Sequence, residues 1–218
     1  MKVLGLDCTG ASCSAAVAIA GAIRAHRFAA MERGQAEALM PMVQAVLDEA
    51  ALGVAQLDLI AVTIGPGSFT GVRTGLAAAR GLGLAARRPL MGVTSFAAVA
   101  EAVRAQAGGR PLAVALESKR QELFLQLVGP EGPGDGALVP PEQWGAFVPV
   151  PAFLAGDGAV RLAAALARPR TDILSAAAVD AAHVACLAAR RWRTGLALPA
   201  PRPLYLRAPD TTSAAPPA

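Results

Sequence analysis

Two short stretches of this chain carry residue types whose spacing could do chemistry. The first is Val3-Leu4-Gly5-Leu6-Asp7-Cys8-Thr9-Gly10, an apolar segment that ends on an acid and turns through a thiol, a hydroxyl and a glycine. A carboxylate at a strand end beside such a turn can hold a hydrated metal ion and present N–H groups to phosphate. Asp7, Thr9 and Gly10 are therefore candidate nucleotide-binding residues, although acids also cap turns with no ligand present. The second stretch is Ile64-Gly65-Pro66-Gly67-Ser68-Phe69-Thr70-Gly71-Val72-Arg73-Thr74-Gly75-Leu76. It reads as a strand, a Gly-rich turn and a helix start, which aims backbone N–H groups at an anion. It has neither the Gly-Lys-Ser/Thr ending of a P-loop nor G-x-G-x-x-G spacing, so a tight structural turn is the competing reading.

Other chemistries find no constellation. His26 and His183 stand apart, without an H-x-x-x-H or H-E-x-x-H pair. No Ser lies in G-x-S-x-G. Cys8, Cys13 and Cys186 are odd in number and lack C-x-x-C spacing, which reads as reduced, mostly buried thiols rather than a disulfide scaffold or zinc knuckle. No catalytic residue and no metal ligand set is assigned.

The elements that must position these stretches follow from periodicity. Residues 2–7, 14–20 and 22–28 read as an antiparallel meander, with the Asp7–Gly10 turn at its first corner. A helix is expected over 35–51, where Leu39, Met42, Val43, Val46, Leu47 and Ala50 recur at three- and four-residue steps. Pro41 lies inside it and predicts a kink or a late start. A strand over 57–64, a helix over 72–86, a strand over 90–93 and a helix over 95–106 complete the order βββαβαβα, a mixed sheet with helices packed against it. In the second helix Gly71, Gly75, Ala79 and Gly83 fall four apart on one face. Each interior glycine costs up to ~1 kcal/mol relative to Ala, which predicts close approach by another helix. Arg73 and Arg80 share a neighbouring stripe.

Gly108-Gly109-Arg110-Pro111 reads as a hinge. Beyond it, Leu112–Glu117, a polar turn and 122–128 repeat the opening pattern of strand, acid, turn, strand, which suggests two related lobes. Residues 129–141 read as loop, 153–155 as a strand, 159–166 and 176–193 as helices, and 203–207 as a segment docked on the body. The domain reading is residues 1–108 as a first lobe, 109–207 as a smaller second lobe, and 208–218 as a disordered tail.

The 218 residues are 54% hydrophobic and 17% charged, the balance of a compact globular chain, and only 4% aromatic, so its core must be Leu, Val and Ala. An acid at position 7 comes too early for a signal-peptide core, and no apolar run approaches the ~20 residues of a membrane span. With reduced thiols, this points to the cytoplasm. The net charge of +4, almost all Arg, is a modest excess for binding nucleic acid alone. Arg87-Arg88 and Arg190-Arg191-Trp192-Arg193 read as solvated helix ends.

At Gly65–Leu76 the chain resembles the TsaB (YeaZ-like) family, whose signature this stretch nearly spells. Supporting matches run in order: Leu4–Thr9, Ala38–Val43, Gly92–Ser95, Ser118–Phe124, Gly156–Ala159 and Pro203–Arg207. The resemblance implies the two-lobed α/β fold of actin, sugar kinases and Hsp70 ATPases (the ASKHA fold). It also implies a non-catalytic subunit that binds and activates TsaD, the transferase, in a complex with the ATPase TsaE. That complex attaches threonylcarbamoyl to N6 of the adenosine next to the anticodon, so tRNA is met through the complex.

The resemblance gives two helical faces a use. Leu39, Met42, Val43 and Val46 with Gly71, Arg73, Gly75 and Ala79 are expected to bundle with TsaD, or with a second copy when the chain is alone. Gly75→Leu is expected to abolish pairing and spare the fold. No tightly bound cofactor is implied, with ATP or ADP and Mg at the complex interface as the candidate. Gln35 stands where relatives often have His, and Glu117 where many have Asp. The longer Glu117 side chain displaces its carboxylate, which predicts weak ATP affinity for the isolated chain. An ATPase or small-molecule phosphotransferase of the same fold is the alternative, and a peptidase a remote one.

Overall fold

The computed structural model describes residues 1–149, 151–169, 172–175, 177–192, 198 and 200–207. The tail expected over 208–218 and Arg193 lie outside the described residues.

Strands β1 (Lys2–Asp7), β2 (Ser12–Ile19) and β3 (Ala22–Ala30) form the expected meander. Helix α1 (Gln35–Glu49) follows, then β4 (Leu59–Thr63), α2 (Phe69–Ala86), β5 (Leu90–Val93) and α3 (Ser95–Ala107). The first sheet has the order β3-β2-β1-β4-β5, with β1 antiparallel to β2 and parallel to β4. Pro41 neither delays nor ends α1. It lies on the exposed side, where water can take the carbonyl that its missing N–H leaves free.

After Gly108, β6 (Leu112–Glu117) and β7 (Leu123–Gly129) open a second sheet. The expected 129–141 loop instead contains two short strands, β8 (Gly132–Pro133) and β9 (Ala137–Val139), both hydrogen-bonded antiparallel to β7. Gly132, at φ +112, makes the tight reversal that a Gly- and Pro-rich composition disguises as loop. Then come α4 (Trp144–Phe147), β10 (Phe153–Ala155), α5 (Ala159–Ala165), β11 (Ile173–Ser175) and α6 (Ala181–Arg191). The path β11-β10-β6-β7-β8 repeats the first sheet's pattern: an antiparallel opening pair and two parallel strands added on the far side of the first. The repeated opening seen in sequence is a repeat of topology.

Three apolar clusters define the layers. One lies beneath α1 and α2 on the outer face of the first sheet, and one beneath α4 and α5 on the outer face of the second. The third joins the inner faces of both sheets through α3 and α6. Helix α6 thus comes from the second-lobe segment yet packs on β1 and β2. It begins at Ala181, later than the sequence indicates, because Asp180 caps it by accepting from the Ala182 N–H at 2.8 Å. Gly5 permits this approach, since a Cβ there would meet the Ala181 carbonyl and the Ala185 backbone. Among the described residues no helix is long and apolar enough to cross a membrane.

The layers correct the reading of the small-residue face. Gly71, Gly75 and Ala79 are buried against this chain's own sheet, and Leu39, Val43 and Val46 lie in the same cluster. A Cβ on Gly71 would run into the Cys8 carbonyl, and one on Gly75 would meet Val62 Cγ2 at 3.4 Å. The close approach is therefore helix to strand, and a leucine at Gly75 would wedge α2 off the sheet rather than block a partner. Met42 is half-buried at the edge, and only Arg73 of this set is exposed.

Gly71→Ala is expected to destabilise the protein by ~1–3 kcal/mol, because the backbone oxygen it meets cannot rotate away. Gly75→Ala has ordinary contact distance and should be neutral or gain up to ~1 kcal/mol from helix propensity. Urea unfolding of both variants checks the contrast.

Candidate functional site

The first hairpin turn and the turn before α2 are built against each other. The Thr9 carbonyl accepts from the Ser68 N–H at 2.7 Å, and Gly67 has no room for a Cβ because Thr9 lies against it. Ser68 caps α2 with its hydroxyl, which accepts from the Gly71 N–H at 3.3 Å. Gly65, at φ +103, accepts from the Ser95 N–H, and the Leu204 N–H donates to the Ile64 carbonyl at 2.7 Å. The Gly-rich stretch is thus a packed junction of β1, α2, α3 and the 203–207 segment, which docks as expected. Several of the N–H groups that could have met an anion are spent internally.

Asp7 sits at the centre of the junction, fully buried. Its Oδ1 accepts from the Thr63 hydroxyl at 2.6 Å, the Thr9 hydroxyl at 2.7 Å and the Thr9 N–H at 3.2 Å. Its Oδ2 is buried with no partner among the described residues. Burial raises its pKa to about 6, against the lowering effect of the Thr63 and Thr9 hydrogen bonds. Thr9 Oγ1 also accepts from the Ser95 hydroxyl at 3.2 Å. Of the three residues read as a nucleotide site, only Thr9 and Gly10 line open space.

That space is a cleft of about 970 Å³ between the lobes. Gly10, Ala11, Glu32 and Pro66–Thr70 line it from the first lobe, Glu117–Arg120, Phe124 and Asp157 from the second, and Leu204–Arg207 close one end. Glu117 is held by Arg161 in a bidentate pair at 3.0 and 2.9 Å, and its N–H donates to Asp157 Oδ1 at 2.9 Å. Burial raises the pKa of Glu117 despite Arg161, and burial likewise raises that of Asp157. Arg161 also donates to the carbonyls of Arg120, Gln121 and Glu122, so its charge fixes the turn as well as the acid.

This arrangement does not fit a magnesium nucleotide held by the two strand-end acids. Asp7 is sealed beneath its turn and Glu117 is committed to Arg161. Among the described residues no group of three or more His, Cys, Asp or Glu could hold a metal ion. Sequence reasoning missed Thr63, Ser95, Asp157 and Arg161. The signal for Thr63 was its place at the end of a strand parallel to β1. For Arg161 there was none, because the contact spans 44 residues.

On the rim, the Arg73 guanidinium lies 3.7 Å over the Phe69 ring and its Nε donates to the Tyr205 hydroxyl at 3.3 Å. The Phe69 and Tyr205 rings lie 4.8 Å apart. Arg73 thus ties the 203–207 segment to α2. The outward faces of α1 and α2 expose Met40, at 45%, and Leu84, at 83%. These residues, rather than the buried stripes, are what a partner would meet. Of the arginine clusters, Arg88 donates to the Ala55 carbonyl and Arg190 pairs with Glu101, so both serve the fold.

Residues 29–129 match the family described as TsaD, tRNA N6-adenosine threonylcarbamoyltransferase. The tRNA threonylcarbamoyladenosine biosynthesis protein TsaB of Escherichia coli is 32% identical over 124 residues, 57% of this chain and 53% of that protein. The chain thus spans about half the length of the curated relative it matches. A Pseudomonas aeruginosa structure described as similar to the peptidase YeaZ superposes with a TM-score of 0.80 at 28% identity, covering 94% of this chain and 99% of that one. An activator of 2-hydroxyisocaproyl-CoA dehydratase from Clostridium difficile shares the fold alone, with a TM-score of 0.53 at 11% identity over 87% of this chain and 95% of that one. The architecture is the two-lobed fold of actin, sugar kinases and Hsp70 ATPases.

The buried carboxyl of Asp7 carries a pH signature. Its pKa is raised from 3.8 to about 6 in the folded protein, so the folded state binds its proton more tightly than the unfolded chain. The associated stability is complete below about pH 4 and is lost as pH rises to about 6, on the order of 3 kcal/mol in all. Asp7→Asn keeps an acceptor for Thr9 and Thr63 but does not titrate. Wild type should lose stability relative to this variant across that window, as read by urea unfolding at pH 4, 5, 6 and 7. Parallel pH profiles would refute the assignment.

Proposed function

We propose, from its likeness to the TsaB protein of Escherichia coli and to a YeaZ-like structure, that the chain is a TsaB (YeaZ-like) protein and a subunit of the machinery that makes N6-threonylcarbamoyladenosine in tRNA. In this reading it performs no chemistry of its own. It binds and activates TsaD, with the ATPase TsaE as third member, and meets tRNA through the complex. The observation that carries the reading is the TsaB match combined with likeness to a YeaZ-like structure over nearly the whole chain. The commitments of Asp7 and Glu117 support it, since neither acid is presented to the cleft as a free carboxylate. No nucleotide step is assigned to this cleft; ATP or ADP with Mg belongs to the interface of the complex.

The pairing surface is the outer layer of the first lobe. Helices α1 and α2 turn their buried stripes to the sheet and leave Met40, Pro41, Ala77 and Leu84 outward. A large apolar side chain as exposed as Leu84 costs nothing when isolated, but on a helix of small residues it makes an anchor that can enter a partner's groove. The same face serves a homodimer when the chain is alone.

Reconstitution with TsaD and TsaE from the same source, tRNA and threonylcarbamoyl adenylate tests the function. Leaving out this chain should abolish the modified nucleoside, and undiminished product would overturn the reading. Leu84→Glu and Met40→Glu should keep the wild-type melting temperature and weaken TsaD binding by ~10–100-fold, as 1–3 kcal/mol implies. Calorimetry of the isolated chain with ATP and magnesium should detect no tight binding.

A further inference from the structure

All three cysteines are free thiols, and the proposed function uses none of them. Cys186 is half-buried on α6, 3.7 Å from the Gly21 carbonyl. Cys8 and Cys13 differ from it. The β1–β2 register sets Asp7 opposite Ser14, and one step further sets Cys8 opposite Cys13. Both point into the apolar cluster under α1 and α2, and their sulfurs lie 3.6 Å apart. Cys13 Sγ also lies 3.8 Å from the Gln35 carbonyl at the start of α1.

We propose that Cys8 and Cys13 are a redox dithiol that closes to an intramolecular disulfide, with a hydroperoxide as oxidant. The hydrogen bond between them lowers the pKa of Cys13 and, with burial, raises that of Cys8. Either sulfur can attack, since either thiol can donate the hydrogen bond between them. With Cys13 as the attacker, its thiolate displaces hydroxide from the peroxide O–O bond and becomes a sulfenic acid, the thiol's proton joining the hydroxide as water. Cys8 sulfur then attacks the Cys13 sulfur, the S–O bond breaks, and the Cys8 proton leaves with the hydroxyl as a second water. Two electrons pass from the dithiol to the peroxide.

Access and geometry favour a small oxidant. Both sulfurs are buried, which excludes bulky disulfides, but the turn joining them places Gly10 and Ala11 on the cleft wall. Bond formation requires the sulfurs to approach to about 2.05 Å, and the turn contains Gly10, where an added Cβ would meet only Ser12 Oγ, at 3.9 Å. Closure would be felt next door. The Cys8 carbonyl packs on Gly71, and the Thr9 carbonyl holds the Ser68 N–H at the start of α2.

The full chain carrying Cys186→Ser tests this by itself. After hydrogen peroxide, quenching by catalase and denaturation, both remaining thiols should vanish together to maleimide. The intact mass should fall by about 2 Da and the chain should stay monomeric, all reversed by dithiothreitol. Adding either Cys8→Ser or Cys13→Ser should leave a sulfenic acid on the remaining thiol that dimedone traps. Two thiols that stay reactive, or oxygen added without loss of hydrogen, would each overturn the proposal.

Discussion

One oxygen atom, Oδ1 of Asp7, accepts from two threonine hydroxyls and a backbone N–H, and through them β1 is fastened to β4 and to its own turn. Thr9 extends the connection to Ser95 at the start of α3 and, by its carbonyl, to Ser68 at the start of α2. Four elements of the first lobe therefore converge on one buried carboxyl. The cost is an Oδ2 with no partner among the described residues and a pKa raised to about 6. A group held in this way organises the junction and leaves little freedom for a ligand.

From this junction the layering follows. With the turns locked, α2 must descend onto the sheet at backbone distance, and Gly71 and Gly75 supply the absent side chains. On the other face Gly5 does the same for α6. An interior so short of aromatic residues can be dense only if its elements approach closely. The alanines and glycines are thus the means by which two sheets and three helix layers are packed, and their periodic spacing does not by itself mark a binding surface.

The two halves repeat one topology but end their opening strands differently. Asp7 is buried among hydroxyls, whereas Glu117 is exposed enough to be claimed by Arg161, which also holds the turn after it. A cleft between such ends has room for a ligand but no free pair of acids facing each other across it. For the proposed role of supporting a catalytic relative, a cleft wall braced by internal pairs and an outer helix layer with exposed Met40 and Leu84 are the more informative features.

Much of the fold was legible because its signals are local. The alternation in residues 2–28, the three- and four-residue steps of α1, the order βββαβαβα and the restart at Leu112 each depend on neighbours within a few positions, and strands and helices impose those periods directly. The small strands β8 and β9 were hidden because Gly and Pro make a tight reversal look like a loop. The Gly65–Leu76 stretch also fixed the family resemblance from sequence alone. What only the tertiary structure decided was the direction in which each face looks. The stripes Leu39, Val43, Val46 and Gly71, Gly75, Ala79 were visible as stripes, but a stripe has the same spacing whether it meets its own sheet or a partner. The partners of Asp7 and Glu117 were equally out of reach, since Thr63 and Arg161 lie 56 and 44 residues away. Periodicity is a property of the chain, and the surface it meets is a property of the packed whole.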